Sequence, residues 1–327
     1  MAAPSAQTLQ RIASETGHQA GTLEKVLRLL DLLQELARDP VLASRFALKG
    51  GTALNLFHLG LERLSVDIDL NYVGALAREA MEQDRPEAEA ALNRLLAAQG
   101  YAVRRRPDEH AGGKWIARFA SALGGAATLE VDVNYMARQP LFGSAPMDSV
   151  RFGALQATAV PVVDLHEIAA GKLVALLDRR AARDLFDARR LLAVASLDWT
   201  RIKAAVLAFG ASGRRDWRLA STLDIGGDPR ELRQKLVICL PRDYFEAAGG
   251  VERWIEESVA ICRERLAFLF DRSAGEQAFL DGVLDRGEID ASLLGVDPAL
   301  QGRIAAMPML EWKARNVREH RAGQRSQ

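Results

Sequence analysis

Cysteine is nearly absent from this chain. Cys239 and Cys262 are the only two in 327 residues. They form no CxxC pair and no metal-ligand spacing, and two cysteines make no disulfide framework. Two small core thiols are the expectation. Net charge is absent as well, because 43 Lys and Arg balance 43 Asp and Glu. A protein that coats nucleic acid without specificity needs a basic excess, so that class is disfavoured, while a local basic patch is not. No uncharged apolar run approaches membrane-spanning length. The N-terminal MAAPSAQTLQRIASETG lacks the basic-then-apolar order of a signal peptide. A soluble cytoplasmic protein with no membrane partner is expected. There is no GxGxxG loop, no Ser-His-Asp or Cys-His arrangement, no internal repeat and no low-complexity segment. What remains is an ordinary globular mix, 49% hydrophobic and 26% charged, long enough for one large or two ordinary domains with a real core.

The informative stretch is 46–73, FALKGGTALNLFHLGLERLSVDIDLNYV. Phe46 to Leu48 reads as a short approach strand. Gly50 and Gly51 then open a helix from Thr52 to Leu59, and a helix start presents backbone N–H groups suited to phosphate oxygens. Val66 to Tyr72 reads as a strand. Side chains alternate along a strand, so Val66, Ile68 and Leu70 face the core while Asp67 and Asp69 share the opposite face. Two carboxylates on one face repel unless something positive joins them, and hard oxygen ligands suit Mg2+. Phosphate cradle plus paired acids is the equipment of metal-assisted transfer from a nucleoside triphosphate.

Around this stretch the periodicity predicts a packing helix over 21–38, stopped by Asp39-Pro40. A helix is expected over Glu87–Gln99 with Pro86 in its first turn. Three strands follow, at Tyr101–Arg106, Lys114–Phe119 and Thr128–Tyr135. In the third, Leu129, Val131 and Val133 share one face and Glu130, Asp132 and Asn134 the other. On the residues alone, that polar face is a wet sheet surface. Asp164 reads as a helix N-cap with Glu167 as its capping-box partner. Beyond Ser196 the chain reads as mostly helical, with Trp312 packed among solvated charges and the tail after His320 disordered. His58 reads as structural, and Arg104, Arg105 and Arg106 as a charged sheet edge.

KGGTALNL followed by RLSVDIDLNY resembles the AbiEii/AbiGii-type nucleotidyltransferase toxins, within the polymerase-beta-like nucleotidyltransferase superfamily. GKLVALLDR followed by RDLFD, at 171–187, resembles the family's later motifs. The resemblance implies an α+β fold: a nucleotidyltransferase core with a mixed or antiparallel sheet flanked by helices, plus a mainly α-helical C-terminal region. The corresponding division is 1–195 for the catalytic domain with its N-terminal packing helix and 196–327 for the helical one. By resemblance, Asp67, Asp69 and Asp132 hold one or two Mg2+ ions, and Asp132 is a ligand or the base towards the acceptor. Gly50, Gly51, Thr52 and Ser65 contact the NTP phosphates. Lys172 neutralises the triphosphate, while Arg183 and Asp184 complete the pocket. The implied activity is transfer of NMP from an NTP to RNA, a tRNA 3′ end, by the toxin of a toxin–antitoxin or phage-defence system with its antitoxin encoded nearby. Two alternatives stand: transfer to a protein hydroxyl, and a nucleotide-binding regulatory module without turnover.

Overall fold

A computed structural model describes residues 4–107, 112–152 and 155–325. The chain forms two compact units. The first is Met1–Asp164 with Arg233–Ala248, and the second Leu165–Leu232 with Gly249–Gln327.

In the first unit, α1 (Ala6–Thr16) starts at Ser5, whose hydroxyl accepts from the Thr8 N–H, and ends at Gly17 in the left-handed region. α2 (Ala20–Arg38) buries Leu23, Val26, Leu27, Leu30 and Leu33, the stripe that its spacing predicts. Asp39 stops it and caps α3 (Pro40–Arg45) through the Val41 and Leu42 N–H groups. Next come β1 (Phe46–Lys49), a helical turn α4 (Gly50–Thr52) and β2 (Asp67–Tyr72). The expected helix after the Gly-Gly pair is present, but Ala53–His58 is wound as a π-helix. Its wider turn carries the Leu59 N–H back to the Leu54 carbonyl.

α5 (Arg78–Ala98) is longer than its sequence suggests, and Pro86 lies inside it. A proline there costs one helical hydrogen bond. Tertiary contacts hold the preceding turns: Met81 is buried, Asp84 binds the Arg45 guanidinium and accepts from the Tyr72 hydroxyl, and Arg85 donates to the Gly112 carbonyl. The remaining strands are β3 (Ala102–Pro107), β4 (Gly112–Ala120), β5 (Ala126–Asn134), β6 (Ser144–Met147) and β7 (Val160–Val163). They form one seven-stranded sheet ordered β3-β4-β5-β2-β1-β7-β6. β2 runs parallel to β5 and β1 parallel to β7, and the other pairs are antiparallel, so the sheet is mixed as expected. β3 is an edge strand, in keeping with its three arginines. The segment 233–248 returns to this unit, where the Cys239 carbonyl accepts from the Leu64 N–H.

The second unit is helical among its described residues. It holds α6 (Leu165–Arg179), α7 (Ala182–Leu191) and α8 (Trp199–Ser212), the last capped by Asp198. Helices Val251–Arg265, Ala274–Asp281, Pro298–Ala305 and Pro308–Arg325 follow. The final helix runs past His320 instead of fraying there. Arg318 donates to the Gly287 carbonyl and Arg321 to the Asp285 carbonyl, which ties the last turns down. Trp312 is not packed as expected but is 50% exposed. Cys239 and Cys262 are buried thiols outside any disulfide, and burial pushes the Cys262 thiol up to about 12. No described helix is long and apolar enough to cross a membrane.

Candidate active site

β2 lies in the middle of the sheet, so both its neighbours contribute to its polar face. Ile68 and Leu70 are buried on the apolar face, opposite Val131 and Val133 of β5. Strand alternation then places Asp67, Asp69 and Asn71 together on the other face. The β2–β5 register sets Asp67 opposite Glu130, Asp69 opposite Asp132 and Asn71 opposite Asn134. Four acids from two strands far apart in sequence therefore meet on one surface.

The Gly-Gly turn closes over this row. Lys49, the last residue of β1, pairs with Asp69. Gly50 follows at φ +70°, and a Cβ placed there would overlap Asp69 Oδ2. Only glycine lets the backbone take that φ and come that close to the carboxylate. Thr52 is fully buried and its hydroxyl donates to the Asp67 carbonyl, while the Asn55 amide donates to the Gly51 carbonyl at 2.9 Å. Ser65 is buried two residues ahead of Asp67.

The charge balance of the row contains a residue that sequence reasoning treated only as strand. Lys114 of β4 stands opposite Asp132. Its ammonium lies 2.8 Å from Glu130 Oε2 and 3.2 Å from Asp132 Oδ2. Hydrogen bonding to Glu130 first, and to Asp132 next, raises the lysine pKa. Burial raises the Asp132 carboxyl above its ordinary value; the charges of Asp69 and Glu130 add to this, and Lys114 opposes it. The signal that would have found Lys114 was present: in a hairpin turning at Ser121–Gly125, Ala120 pairs with Ala126, and counting back puts Lys114 against Asp132.

The donor set fits a divalent cation. Asp67, Asp69 and Asp132 supply hard oxygens on one face, and the repulsion that Asp132 feels from Asp69 is what a cation between them relieves. Farther along the same strand face, Asn71 is buried with its Oδ1 unpartnered among the described residues. Among the described residues, no group of three His, Cys, Asp or Glu side chains is already gathered as a cage. Mg2+ does not need one, since it commonly takes one or two carboxylates and completes its shell with water and substrate phosphate.

The second unit holds the other predicted residues. Lys172 of α6 reaches α7, 2.7 Å from Asp187 Oδ2 and 3.3 Å from Asp184 Oδ1. Arg179 adds two bonds to Asp184, at 2.6 and 3.1 Å. Asp184 and Asp187 are 0% exposed, and the Lys172 side chain 12%. Burial on this scale requires paired charges. Asp187, the last residue of RDLFD, makes the shorter bond. Arg183 sits in the first turn of α7. Arg138 is buried and donates to the Leu76 and Tyr135 carbonyls, and Arg105 binds Glu89. The His58 ring lies 3.2 Å from the Val163 carbonyl, and burial lowers its pKa.

The model of the AbiEii nucleotidyl transferase toxin family, of type IV toxin–antitoxin systems, matches residues 31–259. The chain belongs to the AbiEii family. It is a nucleotidyltransferase toxin of a type IV toxin–antitoxin system, and the matched span includes every site residue named above. AbiEii-type enzymes use an NTP and a divalent metal, and the system implies a cognate antitoxin. The solved structure of MenT4, a nucleotidyltransferase toxin from Mycobacterium tuberculosis H37Rv, aligns over 95% of this chain and 99% of its own, with a TM-score of 0.61 and 18% identity. At that identity the likeness shows the fold. A comparison with curated protein sequences finds no match.

Proposed function

We propose that this AbiEii-family chain transfers NMP from an NTP, with Mg2+, to the 3′ hydroxyl of an RNA acceptor of the tRNA class. The register that sets Asp69 against Asp132 beside Gly50 carries the reading. Asp67, Asp69 and Asp132 would hold the metal, whose chemistry is to neutralise charge on the phosphates and the reacting oxygens. Gly50, Gly51, Thr52 and Ser65 would meet the phosphates, and Lys172 and Arg183 would add positive charge, with Asp184 orienting Lys172. The acceptor hydroxyl gives its proton to Asp132, and its oxygen bonds to the α-phosphorus. The bond from that phosphorus to the bridging oxygen of the β-phosphate breaks, and pyrophosphate leaves with the electron pair.

By role, Lys172 and Asp184 belong to a proposed catalytic domain 1–195 followed by a helical domain 196–327, although the compact units divide after Asp164. An RNA acceptor is supported by a groove of about 670 Å³ in the second unit, lined by Arg214, Trp312, Lys313, Asn316, His320 and Arg321 among others. An exposed indole beside cations can stack a base and hold its phosphate. The expected setting is the cytoplasm, in phage defence, with the antitoxin encoded nearby.

The test incubates wild type and Asp67→Ala/Asp69→Ala with Mg2+, total cellular RNA and each α-32P-labelled NTP. Label entering RNA with wild type alone is expected. Label entering protein instead would establish protein nucleotidylation. NTP binding with no transfer to either acceptor would make the chain a binding module.

A further inference from the structure

The polar face of β2 and β5 carries four carboxylates, Asp67, Asp69, Glu130 and Asp132, in two facing pairs. A site that loads two divalent ions leaves such carboxylates to the metals. Here the two acids of β5, one from each facing pair, already share a cation. Lys114 bridges Glu130 and Asp132 at 2.8 and 3.2 Å, and its backbone cannot drift from them. β4 pairs with β5 along Gly112–Ala120. On the other face of β4, Trp115 and Ala117 are fully buried, and the Trp115 indole donates to the Asn93 side chain. The Lys114 side chain emerges from that anchored strand onto the acid row.

We propose that Lys114 is the resident second cation of this site, so that the chain takes up a single divalent ion with its nucleotide. The inference rests on the nucleotidyl-transfer reading above. The ammonium occupies Asp132 Oδ2 and Glu130, and a single ion would be held by Asp67, Asp69 and Asp132. A further ion at Asp132 and Glu130 would have to expel the ammonium from two carboxylates at once. Lys114 is thus a positioning residue: it fixes the Asp132 carboxylate through a direct ion pair and lowers the number of metals that the row binds.

The probe is Mn2+, counted by the loss of its free electron paramagnetic resonance signal. Wild type, Lys114→Met and Lys114→Arg are each loaded with an α,β-methylene NTP, and Asp69→Asn is the control. The expected counts are one tight Mn2+ per loaded chain for wild type and for Lys114→Arg, two for Lys114→Met, and none for Asp69→Asn. Two in wild type, or one in Lys114→Met, overturns the role of Lys114. If Lys114→Met does not fold, Lys114→Gln is counted by the same criterion. The two readings fail separately. Wild type that binds no tight Mn2+ and labels no acceptor sinks nucleotidyl transfer itself, whereas an active wild type with two ions sinks only the Lys114 assignment.

Discussion

The molecule sets a lysine between two acids twice, in different surroundings. On the sheet, Lys114, Glu130 and Asp132 are each about 36–42% exposed. On the helices, Asp184 and Asp187 are 0% exposed and Lys172 12%. Exposed ion pairs add little to folding stability, while a buried pair broken on one side is costly because the other charge stays in low dielectric. The sheet cluster therefore lies open to substrate while contributing little to the fold. The helix cluster is fixed, and it presents one lysine in one orientation.

The largest expected effect follows from the sheet side. Asp67→Ala with Asp69→Ala should reduce transfer by about 10³-fold or more, with thermal unfolding nearly unchanged. A calorimetric scan beside the labelling assay checks both halves, and a large drop in Tm would mean that the acids are structural.

Asp184→Ala reverses that pattern. It leaves Lys172 to Asp187 and removes a partner of Arg179, so it should cost about 3 kcal/mol in urea unfolding. Asp132→Asn should cost less than about 1 kcal/mol. Equal costs would erase the distinction between the two clusters.

Gly50→Ala tests whether the turn and the acids are one device. The left-handed φ and the overlap with Asp69 should together cost about 1–3 kcal/mol. Transfer should fall as well, because the Asp69 carboxylate must move. Undiminished transfer by the Gly50→Ala variant would show that the close approach carries no weight.

A smaller effect comes from a third charged contact. Hydrogen bonding to Arg45 holds the Asp84 carboxyl below its ordinary value, against the opposing pull of burial. A depressed carboxyl contributes stability above its unfolded pKa of about 3.9, and this is lost as pH falls through the lower folded value. Arg45→Met should be about 1–2 kcal/mol less stable at pH 7. The gap should close below about pH 4. Denaturant titrations at both pH values decide it, and a gap that persists in acid would assign the loss to packing.

The two clusters also differ in how far they could be read in advance. Asp67 and Asp69 lie two apart, and alternation alone shows that they share a face. Lys172 and Asp184 are reached through the likeness of GKLVALLDR and RDLFD to a family motif. Asp132 reads as a wet-face residue until the family resemblance singles it out. Lys114 was missed, since its meaning lies in a pairing register. Pro86 misled for a related reason: local rules place it at a helix start, and the contacts of Met81, Asp84 and Arg85 extend the helix past it. Trp312 misled in the other direction, since an aromatic on an amphipathic helix is usually core and here half of it faces solvent.

By itself the sequence determined the local pieces: the α2 stripe, the Gly-Gly turn, the alternating acids of β2, the thiols too far apart for a motif, and the family. Those depend on spacing within one element, which periodicity encodes directly. Only the tertiary structure decided that β2 lies between β1 and β5, that Asp69 meets Asp132 and lies against Gly50, and that Lys114 pairs with two acids of the row. Such facts depend on which strands become neighbours and in what register, and that choice is made by burying the whole apolar face of the sheet at once.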